Sequence, residues 1–160
     1  MPAIQRRLAV NRLLDGLPAS DLRRIVAGCE TVELTFAEVL YTPGERLRHV
    51  YFPTRGFISL VMPIDESASL EVGLIGNEGM FGIPLALGID VSPLRAVVQG
   101  AGSALRMGAA HFCRELGRSR ALQREIDRYF FVHLSQLAQT SGCTPFQVVE
   151  ARRAPRLLLP

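Results

Sequence analysis

Histidine and cysteine are the residue types from which a metal or redox centre would be built in this chain. They lie far apart, at His49, His111 and His133 and at Cys29, Cys113 and Cys143. No histidine has a second one two or four positions away, and no CxxC pair exists, so the spacing predicts neither a metal centre nor an iron–sulfur cluster. We expect the cysteines to be small buried hydrophobes. Redox sensing by Cys113 and Cys143, and a haem or pH-sensing role of His133, are the alternatives.

Nucleophilic catalysis has no motif here. The sequence contains no Ser/His/Asp or Cys/His order in a recognisable local pattern, so we expect no enzymatic activity. All 18 basic residues are arginine, and the net charge of +3 is too small to indicate a nucleic-acid partner by itself. The arginines at positions 114, 118, 120, 124 and 128 are expected to form a solvated helix face, with contact to DNA phosphates as the alternative.

The hydrophobic pattern divides the chain into four parts. Residues 1–30 are predicted to be helical, residues 31–108 to form a β-domain, residues 109–142 to be helical, and residues 143–160 to begin a further domain. In the second part, short strand-like runs alternate with Gly and Pro turns, which is typical of a sandwich or barrel. Pro53 is predicted to end one strand, and Gly56–Val61 to form the next.

No membrane or secretion signal is evident. The composition is 48% hydrophobic, but no run is long and apolar enough to cross a bilayer, and the N-terminus has no apolar signal core. We expect a cytoplasmic protein without membrane contact.

The strongest helical signal runs from Ala121 to Ser141. Its apolar seam has helical spacing and consists of Leu122, Ile126, Tyr129, Phe130, His133, Leu134 and Leu137. Phe131 and Val132 lie outside the seam, so the helix is apolar on more than one side. We predict that the seam residues other than Leu134 form a homodimer interface. Simple packing on the β-domain is the alternative. Gly142 is predicted to end this helix, and Thr144 to begin another.

Several segments, in order along nearly the whole chain, resemble the Crp/Fnr family of bacterial transcription regulators. They are Leu17-Pro18-x-x-Asp21-Leu22-Arg23-Arg24-Ile25, Glu38-Val39-Leu40-Tyr41-x-Pro43-Gly44-Glu45, Val50-Tyr51-Phe52-x-x-x-Gly56-x-Ile58-Ser59-Leu60-Val61, Glu71-Val72-x-x-Ile75-Gly76-x-Glu78-Gly79-Met80, Arg95-Ala96-Val97-Val98-Gln99 and Val149-Glu150-Ala151-Arg152. The resemblance implies a cyclic-nucleotide-binding-type β-roll with flanking helices, that is, a mainly β jelly roll followed by a long dimerisation helix. It also implies a C-terminal helix-turn-helix that reads DNA, and we expect the chain to be truncated before it.

The resemblance also implies a ligand site in the family's phosphate-binding cassette. The matching residues are Phe81, Gly82 and Ile83 at the start of the cassette, and Arg95 and Ala96 at its end. Ile83 stands where the family has a glutamate, and it cannot accept a hydrogen bond from a ribose hydroxyl, a loss of about 1–3 kcal/mol. The resemblance therefore implies an unknown small effector, with cyclic nucleotides possible but disfavoured. Arg95 as a strand arginine paired with a surface carboxylate is the alternative.

One turn departs from the family pattern. Ala37 stands where a glycine is expected before Glu38, and alanine is strained at positive φ. We therefore expect a different turn at this position.

The sequence thus predicts the effector-sensing and dimerisation region of a Crp/Fnr-like regulator. An effector at the β-roll would reposition the long helices and so control DNA binding by the helix-turn-helix, and these 160 residues would not bind DNA specifically themselves. A standalone β-roll that binds a small ligand or a partner, without DNA binding, is the alternative. A cupin-type metalloenzyme would need a close histidine pair and a carboxylate, which the sequence lacks.

Overall fold

The computed structural model describes residues 11–143, which contain five helices and five strands. The helices are α1 (Arg12–Asp15), α2 (Ala19–Ala27), α3 (Ile83–Ala86), α4 (Ala109–Arg118) and α5 (Arg120–Cys143). The strands are β1 (Glu30–Leu34), β2 (Val39–Tyr41), β3 (His49–Pro63), β4 (Ser69–Ile75) and β5 (Arg95–Gly108). Helix α5 is the predicted long helix, and it continues through Gly142 instead of ending there. The helix predicted from Thr144 and the segment 149–152 lie outside the described residues.

The strands form one antiparallel sheet. Its order is β1-β5-β3-β4, and β2 also pairs with β5. The pairing of β3 with β5 joins residues 49–61 to residues 95–108 and forms the centre of the sheet. The predicted fold class, a cyclic-nucleotide-binding-type β-roll with flanking helices, is confirmed.

Strand β3 is longer than predicted because Pro53 lies inside it and does not end it. The register with β5 shifts between Pro53 and Arg55, so the proline stands where the ladder is already interrupted. The carbonyl oxygen of Pro53 accepts a hydrogen bond of 2.9 Å from the buried side-chain amide of Asn11. A bulge and a side-chain partner therefore let one strand replace the two that the sequence predicted.

The turn before Glu38 is also different from the prediction. Ala37 adopts a φ of +69°, so the left-handed turn is kept although the residue is alanine. The Glu38 amide donates to the Thr35 carbonyl oxygen at 3.0 Å, and positive φ at the third of four residues makes this a type II turn. The Ala37 amide donates to the Val98 carbonyl oxygen at 2.8 Å, which holds the turn against β5 and offsets its strain.

The hydrophobic core is shared by helices and strands. It includes Leu14 of α1, Ile25 of α2, Phe52 of β3, Phe112 of α4 and Leu122 of α5, all essentially without exposed surface. The chain divides into two compact units, Met1–Tyr129 and Phe130–Pro160. This division falls inside α5, not at the predicted boundaries 108/109 or 142/143, because α4 and the first part of α5 contribute to the same core as the strands.

No helix within residues 11–143 has the length and apolar character needed to cross a lipid bilayer.

Candidate functional site

The predicted ligand site begins at Phe81 and Gly82, where the chain turns from a β-bridge into α3. Gly82 has a φ of +117°, and a Cβ atom there would lie 2.6 Å from a side-chain carbon of Val50, so only glycine fits. The residue before it, Phe81, exchanges two backbone hydrogen bonds with Tyr51 of β3, of 2.8 and 3.0 Å. The start of the cassette is therefore fixed to the central strand of the sheet.

The other predicted ligand residues lie at α3 and at the start of β5. Ile83 is the first residue of α3 and packs half-buried against the core. Ala96 is fully buried, opposite Tyr41 and Leu60. Arg95 is half-buried and pairs in register with Val61, and it forms no ion pair with any carboxylate among residues 11–143.

Tyr41 connects the two ends of the cassette, and sequence reasoning did not identify it. Its ring centroid lies 5.9 Å from that of Phe81, at the start of the cassette. Its hydroxyl accepts a 2.9 Å hydrogen bond from the Ser92 amide and donates to the Glu45 carbonyl oxygen. The sequence placed Tyr41 in a segment that resembles the family, but strand alternation puts it on the same side as Val39 and so predicts no special role for it.

A cleft of about 110 Å³ opens beside these rings. Its apolar wall is formed by Leu40, Tyr41, Leu47, Tyr51 and Phe81, and its polar edge by Glu45, Arg46, Arg48 and His49. Among the predicted ligand residues, Phe81 lines this cleft, whereas Gly82, Ile83, Arg95 and Ala96 do not. Pockets for drug-sized ligands enclose roughly 300–1,000 Å³, which is larger than this cleft.

The polar edge of the cleft carries charges of both signs, Arg46 and Arg48 against Glu45 and the Asp90 that pairs with Arg46. Burial, followed by the charges of Arg106 and Arg48, holds the pKa of His49 below its ordinary value of 6.5, although Glu30 opposes this. Arg106 is itself bound by Glu30 through hydrogen bonds of 2.6 and 2.8 Å. The largest cause is burial, which disfavours a charge of either sign at this position.

The long helix contacts the segment that leads into the cassette through Tyr129. A Cβ atom at Gly79 would lie 2.1 Å from Cζ of Tyr129, so the tyrosine ring lies directly on the glycine backbone. Burial, with a contribution from the charge of Glu78, raises the pKa of Tyr129, and a hydrogen bond with the Met80 backbone opposes this. The Gly79 carbonyl oxygen also accepts a hydrogen bond of 2.8 Å from Asn11, which fixes the same segment to α1.

The predicted dimer seam is divided by the structure. Leu122, Ile126 and Tyr129 are buried in the core of their own chain, so they offer no surface to a second copy. The prediction that these three residues form a dimer interface is therefore wrong. The alternative, packing within the chain's own core, is correct for them. Phe130 is 38% exposed, while His133 and Leu137 are half-buried. Outside the predicted set, Phe131 is 69% exposed and Leu134 52% exposed.

No protein-family model and no curated protein matches the chain. Among solved structures, a CooA mutant from Carboxydothermus hydrogenoformans is similar over 94% of this chain and 96% of that chain, with a TM-score of 0.69 and 14% identity. Thermus thermophilus Catabolite Activator Protein matches 84% of this chain and 63% of its own, with a TM-score of 0.66 and 13% identity.

The sensor domain of the transcriptional regulator DNR from Pseudomonas aeruginosa is a third similar structure. It covers 88% of this chain and 97% of that chain, with a TM-score of 0.61 and 15% identity. At such identities the similarity shows the fold, and the neighbours are Crp/Fnr-type transcription regulators and cyclic-nucleotide-binding domains. By fold, the chain is therefore a cyclic-nucleotide-binding-type β-roll of the kind found in Crp/Fnr-type regulators, as its sequence motifs predicted.

Proposed function

We propose that the chain is the effector-sensing and dimerisation region of a Crp/Fnr-type transcription regulator. The contact of Tyr129 with Gly79 carries the proposal, because it joins the long helix to the segment that leads into the cassette. Phe81 lies two residues further on and is bound to β3. An effector that prefers one arrangement of this segment would therefore also bias the position of the long helix.

Self-association of the long helix is supported by its exposed apolar residues. Phe130, Phe131 and Leu134 together span about 100° of the helix circumference, which is wide enough for a helix–helix contact. A cluster of this kind on a surface marks an interaction site. We infer that a second copy of the chain covers it. Control of DNA binding would pass through a helix-turn-helix domain attached beyond the C-terminal end of this helix.

The effector that we infer is a small molecule other than a cyclic nucleotide. Ile83 supports this, because its side chain at the start of α3 offers no acceptor to a ribose hydroxyl. The neighbours that are named as transcriptional regulators support a regulatory role rather than an enzymatic one.

The coupling is tested by comparing Gly79→Ala with Gly108→Ala. The added methyl group at position 79 displaces Tyr129, whereas a Cβ atom at position 108 meets nothing within 4 Å. We expect Gly79→Ala to change the dissociation constant of the dimer at least about fivefold, and Gly108→Ala to leave it unchanged. Sedimentation equilibrium measures the constant, and circular dichroism verifies that both variants are folded.

A second substitution should reverse the effect of Gly79→Ala on the dissociation constant of the dimer. Replacing Tyr129 by leucine in the Gly79→Ala variant removes the clashing ring, and we expect the dissociation constant to return toward that of the Tyr129→Leu protein. Equal dissociation constants for Gly79→Ala and Gly108→Ala would contradict the proposed coupling.

A further inference from the structure

We propose that the outward side of the β-sheet around Val61 binds a second copy of the chain. The contact is separate from the one proposed for the long helix, and it does not depend on the sensing function. Its residues lie on the neighbouring strands β5, β3 and β4, and we call them the outer face: Phe57, Val61, Glu71, Leu74, Arg95 and Val97.

The register of the strands shows which side chains share this face. Val61 pairs with Arg95 of β5 and with Glu71 of β4. Paired residues of neighbouring strands point to the same side of a sheet, and the residues between them point to the other side. Those that alternate with the outer face are all buried in the core: Ile58, Leu60, Ile75, Ala96 and Val98. The outer face therefore points away from the core.

The outer face is apolar where antiparallel sheets are usually polar. In the row beside Val61, Ser59 pairs with Val97 and Leu74, and Phe57 lies two residues before Ser59 on the same side. Leu74 is 47% exposed and Phe57 is 38% exposed, while Val61 and Val97 are half-buried. An antiparallel sheet with one covered face normally carries polar side chains on the other. Exposed apolar side chains grouped between charges mark an interaction site.

Two opposite charges flank the apolar residues without pairing with each other. Arg95 and Glu71 stand on either side of Val61, about 10 Å apart between backbones, because neighbouring strands are separated by about 4.8 Å. Neither forms an ion pair with any residue in the described part of the chain, and the Glu71 carboxylate accepts a hydrogen bond of 2.7 Å from Ser59. Each charge is therefore open to a partner.

The arrangement is complementary to itself. When two outer faces meet about a two-fold axis that runs along β3, the β5 side of one copy lies opposite the β4 side of the other. Arg95 of each copy then faces Glu71 of the other copy, which gives two ion pairs, and Val97 faces Leu74. The strands of the two copies run in the same direction, as in aligned sheet packing. A second copy therefore matches the outer face in both charge and apolar surface.

The test uses the full 160-residue chain with Phe131→Glu and Leu134→Glu, so that the long helix does not contribute to association. We expect this parent chain to self-associate through the outer face with a dissociation constant of about 1 mM, since few apolar side chains are exposed there. Concentration-dependent shifts of the backbone amide signals in NMR spectra, from about 0.1 to 2 mM, measure the constant and locate the contact.

Charge substitutions provide the sharpest comparison. Arg95→Glu and Glu71→Arg, each added to the parent chain, bring like charges together, and we expect each to weaken self-association at least about fivefold. An equimolar mixture of the two variants should associate about as strongly as the parent chain, because both contacts between the unlike copies then join opposite charges. Arg23→Glu, at an exposed position of α2, changes the net charge as much as Arg95→Glu and should have no effect. Circular dichroism verifies that every variant is folded.

Absence of concentration-dependent shifts on the outer face up to about 2 mM would overturn the proposal, and so would shifts confined to other surfaces. A mixture that associates no more strongly than the separate variants would also overturn it, because Arg95 and Glu71 would then not face each other across a two-fold axis. Equal effects of Arg23→Glu and Arg95→Glu would attribute the association to net charge and contradict the proposed contact.

Discussion

Ala37 occupies a backbone conformation that glycine adopts more easily. The family that the sequence resembles has a glycine in this turn, and the alanine suggested that the turn itself is different here. The structure keeps the turn, because the hydrogen bond from the Ala37 amide to β5 and the one that closes the turn both require it. A local preference was overruled by contacts that are distant in sequence, which no local pattern reveals.

Replacing Ala37 by glycine should therefore stabilise the protein. Relief of the left-handed strain outweighs the extra freedom of glycine in the unfolded chain, and we expect a gain of about 1 kcal/mol in the free energy of unfolding. Urea denaturation measures it. Ala110→Gly, at an exposed position within α4, is the matched control and should lose about 1 kcal/mol. Equal losses in both variants would show that the turn at position 37 is not left-handed.

Glu115 is a buried carboxylate that joins α4 to α2. It is 3% exposed, its carboxylate accepts a hydrogen bond of 2.6 Å from Arg24, and His111 and Arg118 lie 3.6 Å away. Burial alone would raise the pKa of Glu115, but the hydrogen bond and charge of Arg24, with Arg118 and His111, outweigh it and hold the pKa below its ordinary value of 4.5.

This depressed pKa predicts how stability depends on pH. The unfolded chain binds a proton at Glu115 more readily than the folded chain, so the contribution is complete above about pH 4.5 and is lost as the pH falls through the lower folded value. We expect Glu115→Gln to be less stable than the natural sequence at pH 7, and the difference to shrink below about pH 4.5. Urea denaturation at several pH values measures this, and a difference that stays constant with pH would contradict it.

The long helix shows what a hydrophobic pattern predicts and what it leaves open. Helical spacing places Leu122, Ile126 and Tyr129 on one face, and this was predicted correctly. The same spacing does not say which surface covers that face. The chain's own core covers it, whereas Phe131, which lies off the seam, is exposed. Whether an apolar helix face becomes core or interface is decided by how the helix packs on other elements, and the hydrophobic period within the helix does not determine this.

The strands show the same limit at β3. Pro53 is a strand breaker by local rules, and the sequence divided β3 there. The bulge beside it and the side chain of Asn11 make a proline acceptable, and both depend on contacts across the fold. The cleft beside Tyr41 could not be predicted for a similar reason, since its walls come from β2, the loop before β3, β3 itself and the cassette.

At the scale of the whole molecule, the order of segments predicted the β-roll although the identity to similar structures is only 13–15%. The fold is specified by its turns and its apolar alternation. Many different side chains satisfy each of these requirements, so the fold persists when the identity is low. The identity of the proposed effector depends on single positions such as Ile83, whose side chain offers no acceptor to a ribose hydroxyl. The fold is therefore far better determined by the sequence than the effector.

The central claim is that Phe131 and Leu134 of the long helix bind a second copy of the chain. Sedimentation equilibrium of the 160-residue chain tests it, with a Phe131→Glu, Leu134→Glu double variant. The matched control is Val132→Glu, an equally exposed apolar position that lies about 100° around the helix from Phe131 and about 160° from Leu134. We expect the natural sequence and the control to be dimers at about 100 µM, and the double variant to be a folded monomer. A monomeric natural chain at that concentration, or a dimer unaffected by the double substitution, would contradict the claim.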